Sequence, residues 1–219
     1  MTEAITVYLP ADRRLALARG TGLPDRAEGA ALFADISGFT PLTEALTRTY
    51  GPRRGAEELT RHLNQVYDAL IDEIDRQAGS VISFSGDAIL CWFDAAGPAP
   101  LRATACALAM QAAIQPFTSV ALPSGETIRL AMKATVASGP VRRFLVGDPD
   151  IQLIDALAGA TVARTAEAEH IARQDMVGAC GRCHRRGRGG WSAGVADTAG
   201  QSGLDGVPGP SSRVHRASG

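Results

Sequence analysis

The pattern of apolar and polar positions predicts strands and helices in alternation over most of the chain. An apolar run that ends in Asp35 predicts a first strand over Gly29–Ile36. Apolar residues that recur every three or four positions then predict two helices, a short one over Pro41–Tyr50 and a longer one from about Gly55 to Gln77. Gly51-Pro52 separates these helices, because both residues interrupt helical backbone.

The next stretch predicts a hairpin followed by an alternation of helices and strands. Two β-type runs, Val81–Phe84 and Ala88–Phe93, flank Ser85-Gly86-Asp87, which places Asp87 at the tip of a turn. The later elements are a helix over Leu101–Phe117, strands over Ile128–Ala137, Val141–Val146 and Ile151–Ile154, and a helix over Ala156–Arg173. Ser138-Gly139-Pro140 is predicted to turn the chain. This order favours an α+β fold close to the ferredoxin-like plan, with helices packed on an antiparallel-rich sheet.

The two ends of the chain differ from this central part. We expect residues 1–28 to form a lead-in that packs on the domain, and residues 29–174 to form the domain itself. Residues 175–219 are rich in Gly, Arg and Ser without hydrophobic periodicity, which predicts a disordered tail. Within the tail, Cys180-Gly-Arg-Cys183-His184 matches a haem-attachment pattern. We interpret it as a chance match, because no haem-enclosing core accompanies it.

Composition and charge narrow the range of partners. The chain has 219 residues, of which 45% are hydrophobic and 21% charged, and its formal net charge is -1. This balance does not favour a nucleic-acid or anionic-membrane partner. No apolar run reaches the roughly 18 residues that a membrane span needs, and the N-terminal stretch lacks a signal-peptide design. We therefore expect a cytoplasmic protein.

The chemistry is concentrated in the stretch ALFADISGFT, Ala31–Thr40. A strand there ends in a carboxylate, Asp35, and a small polar turn leads into a helix, whose first N–H groups attract phosphate. A carboxylate beside such a turn can hold Mg²⁺. If the hairpin lies beside this strand, Asp87 reaches the same sheet edge, and divalent cations relieve the repulsion between the two acids. Taken singly, Asp35 could be a capping acid and Asp87 a turn residue.

These two motifs, ALFADISGFT and SVISFSGDAILCWF, resemble the catalytic domain of class III adenylate and guanylate cyclases. The resemblance covers roughly Pro24 to Arg173 and is strongest to the first of the two cyclase domains in the soluble, bicarbonate-responsive type. It implies conversion of ATP to 3′,5′-cyclic AMP and pyrophosphate by two-metal catalysis, with two Mg²⁺ or Mn²⁺ ions. It also implies a second cyclase domain as partner, either in a homodimer or as a separate or tandem domain, because family active sites form at a dimer interface.

The resemblance assigns roles to individual residues. The metal ligands would be Asp35, Asp87 and the backbone carbonyl of Ile36. The backbone N–H groups of the turn would bind the β- and γ-phosphates; these residues are Ser37, Gly38, Phe39 and Thr40. Arg164 stands near the position of a catalytic arginine that steadies the ribose and phosphates.

Two departures from the family pattern limit this interpretation. Ser83 stands where the family has a base-reading lysine, and residues 151–169 contain no asparagine to pair with the arginine. The chain would thus keep the metal-binding half of the site and lack the base-reading half. We expect weak or no turnover by this chain alone, and ATP rather than GTP rests on the resemblance only. The alternative is a degenerate cyclase-homology module that regulates or dimerises without turnover.

Overall fold

A computed structural model of the protein describes residues 9–148, 151–172, 176–181 and 195–197. The α-helices are α1 (Ala11–Ala18), α2 (Phe39–Tyr50), α3 (Pro52–Arg76), α4 (Ala99–Ile114) and α5 (Ala160–Ile171), and a 3₁₀ turn spans Gln115–Phe117. The strands are β1 (Arg26–Ser37), β2 (Ser80–Ser85), β3 (Ala88–Asp94), β4 (Ser119–Ala121), β5 (Thr127–Arg129), β6 (Ala131–Asp148), β7 (Gln152–Ala158), β8 (Met176–Gly181) and β9 (Val195–Asp197).

Within the described residues, seven strands form one sheet around β1 and β6. Their order is β2-β3-β1-β6-β8-β9, and β7 pairs with the distal part of β6. Every pairing is antiparallel except that of β6 with β8. β4 and β5 form a separate small hairpin. The predicted α+β fold with an antiparallel-rich sheet is therefore confirmed.

The main core lies between one face of this sheet and the helices α2, α3 and α4. The predicted apolar stripe of α3 is buried, with Val66, Leu70 and Ile74 all at 0% exposure. It packs in one cluster with inward-facing residues of β1 such as Leu32 and Ile36. Burying a side chain of this size stabilises the fold by about 1.5–3 kcal/mol, so the α3 stripe accounts for much of the attachment of the helix to the sheet.

The opposite face of the sheet carries a smaller apolar cluster. Trp92 is 1% exposed there and packs with Ala31, Ile82 and Val141, while Leu157 of β7 covers part of the cluster. Since β1 buries residues on both faces, its sequence is a nearly continuous apolar run instead of an alternating one. This explains why the strand before Asp35 is the clearest signal in the sequence.

The predicted turn at Ser138-Gly139-Pro140 is wrong, because β6 runs through it as one strand of 18 residues. Antiparallel pairing with β1 keeps these residues extended, since Gly29 lies opposite Gly139 and Glu28 lies opposite Pro140. Gly139 has φ 141°, and a Cβ there would lie 3.0 Å from the side chains of Arg164 and Thr161. The glycine thus serves a close approach of α5 to the strand, a role that local sequence does not distinguish from a turn.

The end of the domain also differs from its prediction. β7 continues to Ala158, and α5 begins only at Ala160, whereas Ala156 was predicted to be helical. Pairing with β6 carries the strand on, since Arg142 lies opposite Ala158. The strand predicted over Ile128–Ala137 is divided between β5 and β6, and β4 was not predicted. The strands β8 and β9 fall in the segment that was predicted to be disordered. The rest of that segment, including Cys183 and His184, lies outside the described residues.

The N-terminal helix α1 is attached to the domain by a group of charged side chains. Arg13 donates to both carboxylate oxygens of Asp155 on β7, at 2.9 and 2.7 Å. Arg143 on β6 contacts Asp12 and lies 3.4 Å from the Asp155 carboxylate. The side chains of Asp155 and Arg143 are only 1% and 4% exposed. Helix α1 therefore packs against β6 and β7, whereas the division of the chain into a lead-in, a domain and a tail stays a prediction.

Membrane insertion has no candidate among the described helices, none of which is both long and apolar enough to cross a bilayer.

Candidate metal and phosphate site

The structure brings Asp35 and Asp87 to the same edge of the sheet. Antiparallel pairing of β1 with β3 places Asp35 opposite Ala88, the residue that follows Asp87. The backbone N–H of Ile36 donates to the carbonyl of Asp87 at 3.3 Å, which ties the hairpin tip to the end of β1. Gly86 has φ 64° and closes the turn in a conformation that suits glycine. The hairpin therefore lies beside the first strand, which was the condition for the two acids to reach one sheet edge.

The two carboxylates repel each other. Burial raises the pKa of Asp35 above its usual 3.8, and the nearby charge of Asp87 raises it further, while Lys133 acts in the opposite direction. Burial also raises the pKa of Tyr67 on α3, and the charges of Asp87 and Asp35 add to this shift. The Tyr67 ring meets Phe84 edge to face at 5.5 Å between centroids, beside the hairpin. A divalent cation placed at this edge would relieve the unfavourable negative charge.

Two charged residues that the sequence did not assign stand next to Asp35. Lys133 lies directly opposite Asp35 on β6, with its Nζ 3.7 Å from a carboxylate oxygen of Asp35. The same Nζ contacts the Glu169 carboxylate on α5, and this hydrogen bond raises the pKa of Lys133. The sequence alone does not determine which face of the sheet Lys133 occupies, because that depends on the register of β6 against β1. Glu169 has no sequence signal, since only the packing of α5 brings it there.

The turn after Asp35 has the geometry of a phosphate-binding helix start. Gly38 is the N-cap of α2 with φ 105°, and α2 begins at Phe39, two residues before the predicted start at Pro41. The first N–H groups of a helix have no intrahelical acceptor, so Phe39 and Thr40 present theirs at this end. Thr40 is exposed and Phe39 is buried. The Ser37 hydroxyl donates to the Ala131 carbonyl at 3.3 Å, which anchors the turn to β6.

Replacement of Gly38 by Ala will destabilise the fold and distort this turn. Its φ of 105° disfavours any side chain, and a Cβ would collide with the Arg129 carbonyl and meet Leu130 at 3.0 Å. We expect a loss of about 1–3 kcal/mol in the free energy of unfolding, measured by urea denaturation. Gly125→Ala is the matched control, because its φ is 82° but a Cβ there meets nothing within 4 Å. Equal effects of the two changes would show that the close contact at Gly38 does not matter.

Arg164 lies apart from Asp35 in the fold. Arg164 donates to the Ser138 carbonyl at 2.6 Å and to the Thr161 hydroxyl at 3.2 Å. Ser138 is about 16 Å along β6 from Lys133, at about 3.3 Å per residue. Within one molecule, therefore, Arg164 does not join Asp35. Ser83 is half-buried in β2 opposite Leu90, next to an irregularity in the strand pairing.

The donor set fits a hard divalent cation with open coordination positions. No group of three or more His, Cys, Asp or Glu side chains among the described residues is arranged to hold a metal ion. Asp35 and Asp87 offer carboxylate oxygens, which Mg²⁺ and Mn²⁺ prefer. Mg²⁺ commonly takes one or two protein carboxylates and completes its shell with water and substrate phosphates. The arrangement suits metal bound together with a nucleotide better than a permanent all-protein metal site.

Comparison with known proteins finds similarity to nucleotide cyclases. No family model matches the chain. Human adenylate cyclase type 10 is 38% identical over 66 residues, which is 30% of this chain and 4% of that protein. The rabbit protein of the same name gives the same identity and coverage. The matched stretch thus spans only a small part of these long relatives.

Solved structures extend the likeness to most of the chain. The guanylyl cyclase Cya2 is 25% identical, with a TM-score of 0.57 over 71% of this chain and 75% of that one. The adenylyl cyclase CyaB from P. aeruginosa is 21% identical, with a TM-score of 0.58 over 70% and 76%. A bacterial light-regulated adenylyl cyclase is 19% identical, with a TM-score of 0.62 over 78% and 48%.

Proposed function

We propose that this chain is a class III nucleotide cyclase catalytic domain and that it takes part in converting ATP to 3′,5′-cyclic AMP and pyrophosphate. The supporting observation is that Asp35 and Asp87 meet at one sheet edge, next to the first turn of α2. The choice of ATP as the substrate rests on the likeness to adenylate cyclases. The site itself does not indicate the base, because Ser83 stands where the family has a base-reading lysine.

The residues of the site have separable tasks in this reaction. Asp35 and Asp87, with the carbonyl of Ile36, would hold two Mg²⁺ or Mn²⁺ ions, which supply charge stabilisation when bound. The N–H groups of the turn Ser37–Thr40 would bind the β- and γ-phosphates. In the reaction a bond forms between the ribose 3′-oxygen and the α-phosphorus, the bond to pyrophosphate breaks, and the 3′-hydroxyl proton passes to solvent water. Positioning and electrostatics carry most of such a phosphoryl transfer.

A second cyclase domain would complete the site. The separation of Arg164 from Asp35 within one chain supports an arrangement in which each domain faces the other across an interface. A guanylyl cyclase domain from the aquatic fungus Blastocladiella emersonii, with a TM-score of 0.56 and 21% identity to this chain, is described as a non-canonical dimer. The alternative function, a regulatory or dimerisation module without turnover, is favoured by Ser83 and by the missing asparagine.

The test is to measure nucleotide binding and product formation separately on the purified chain. With Mn²⁺ present we expect ATP binding by calorimetry and weak cyclic AMP formation by chromatography, increasing with protein concentration if two copies form the site. GTP is the comparison nucleotide. ATP binding without product at any protein concentration would favour the regulatory module. Turnover at the level of an intact cyclase would contradict the half-site interpretation, and absence of metal-dependent nucleotide binding would contradict both functions.

A further inference from the structure

Lys133 lies between two carboxylates that belong to different elements of the fold. Across the β1–β6 pairing its Nζ is 3.7 Å from Asp35, and it makes its closer contact with Glu169 on α5. All three side chains are mostly covered, with exposures of 23% for Lys133, 25% for Asp35 and 17% for Glu169. The second oxygen of Glu169 lies 3.6 Å from His170, whose side chain is 83% exposed. Lys133 is thus an internal cation next to a candidate metal ligand.

An ammonium group and a metal ion compete for the same carboxylate. Pairing strand β6 with β1 places Lys133 opposite Asp35, so the lysine cannot avoid this neighbourhood. Without another partner, its ammonium would be drawn fully to Asp35, because opposite charges this close attract even at a partly exposed site. Glu169 offers a second carboxylate, and the contact distances show that the ammonium sits nearer to Glu169 than to Asp35.

We propose that Glu169 is a positioning residue that holds the Lys133 ammonium and thereby keeps the Asp35 carboxylate open to a divalent cation. This inference rests on the proposed function, in which Asp35 binds metal. In this proposal Glu169 is not a further metal ligand, because its carboxylate is already paired with the Lys133 ammonium. Its influence on the metal passes through Lys133, which makes the two side chains energetically dependent on each other.

The experiment is a double-mutant cycle on Mn²⁺ binding without nucleotide, read by electron paramagnetic resonance of free Mn²⁺. Glu169→Gln keeps the shape of the side chain and releases Lys133 to pair with Asp35. We expect roughly fivefold weaker Mn²⁺ binding, which corresponds to the strength of one partly exposed ion pair. Lys133→Met keeps the packed stem and removes the competitor, so binding should equal or exceed that of the unmodified chain. In the Lys133→Met background, Glu169→Gln should then change binding by less than about twofold. Glu167→Gln, an exposed glutamate on the same helix, is the matched control and should have no effect.

Each other outcome has a definite meaning. If Glu169→Gln weakens Mn²⁺ binding equally with and without Lys133, Glu169 acts by its own charge and the inference is wrong. If Glu169→Gln has no effect while Asp35→Asn abolishes binding, the proposed function stands and only the inference fails. If Asp35→Asn retains Mn²⁺ binding, the metal site itself is misplaced and both fail. Thermal unfolding confirms that each variant is folded, and Lys133→Gln replaces Lys133→Met if the latter does not fold.

Discussion

Replacement of Asp155 by Ala will lower the free energy of unfolding by about 3 kcal/mol, the size expected when one partner of a buried ion pair is removed. The Asp155 side chain is 1% exposed and accepts from Arg13 at 2.7 and 2.9 Å, with Arg143 at 3.4 Å. Truncation would leave two covered guanidinium groups short of negative charge. For a chain of this length the melting temperature should fall by about 6–12 °C, measured by calorimetry.

The control for Asp155→Ala is a solvent-exposed ion pair on the protein surface. Arg53 and Glu57 lie 3.4 Å apart on α3 with side chains 94% and 66% exposed, so Glu57→Ala should change the melting temperature little. If Asp155→Ala has an equally small effect, α1 is not held to the β6–β7 hairpin by this group.

The contribution of the Asp155 ion pairs to stability should depend on pH. Burial by itself raises the pKa of Asp155, but the hydrogen bonds and charges of Arg13 and Arg143 outweigh it and lower the pKa below 3.8. A depressed carboxylate pKa means that its contribution to stability is complete above the unfolded value and is lost as pH falls through the folded value. The stability difference between the unmodified chain and Asp155→Ala should therefore be full at neutral pH and shrink only below about pH 3.8.

Local patterns were sufficient for the elements that pack through a single face. The α3 stripe of Val66, Leu70 and Ile74 and the hairpin around Gly86-Asp87 appear in the structure where the sequence predicts them. Patterns failed where pairing between distant segments overrides local preference. Ser138-Gly139-Pro140 has the composition of a turn, yet pairing with β1 keeps it in a strand. The extension of β7 to Ala158 has the same origin, because its partner strand β6 is long.

The candidate site divides in the same way. Asp35 and Asp87 were found because each stands in a motif that carries its own local structure, a strand end and a hairpin tip. Lys133 and Glu169 were not assigned, because their places depend on strand register and on the packing of α5. Arg164 was assigned from the family resemblance alone, and the structure shows it bound to the Ser138 carbonyl on another part of β6. Its catalytic role stays a prediction that requires a second domain.

Replacement of Asp35 by Asn will strongly weaken metal-dependent nucleotide binding without destabilising the protein. Asn keeps the shape of the side chain but loses the negative charge that a divalent cation needs, so we expect at least a tenfold loss of Mn²⁺ affinity, about 1.4 kcal/mol. Asp87→Asn should act in the same direction. In a thermal-shift measurement, Mn²⁺ with ATP should raise the melting temperature of the unmodified chain and leave that of Asp35→Asn unchanged.

The stability of Asp35→Asn without metal carries the sharper argument. Burial and the charge of Asp87 raise the pKa of Asp35, so at neutral pH its ionised form is less favourable in the folded chain than in the unfolded one. The neutral Asn avoids this cost, and the metal-free variant should melt at the same temperature as the unmodified chain or higher. Asp68→Asn, an exposed position on α3, should alter neither binding nor stability. A fall in stability on Asp35→Asn would mean that Asp35 stabilises the fold through its ion pair with Lys133. Weaker metal binding with unchanged or higher stability is the result expected of a carboxylate whose role is to bind a cation.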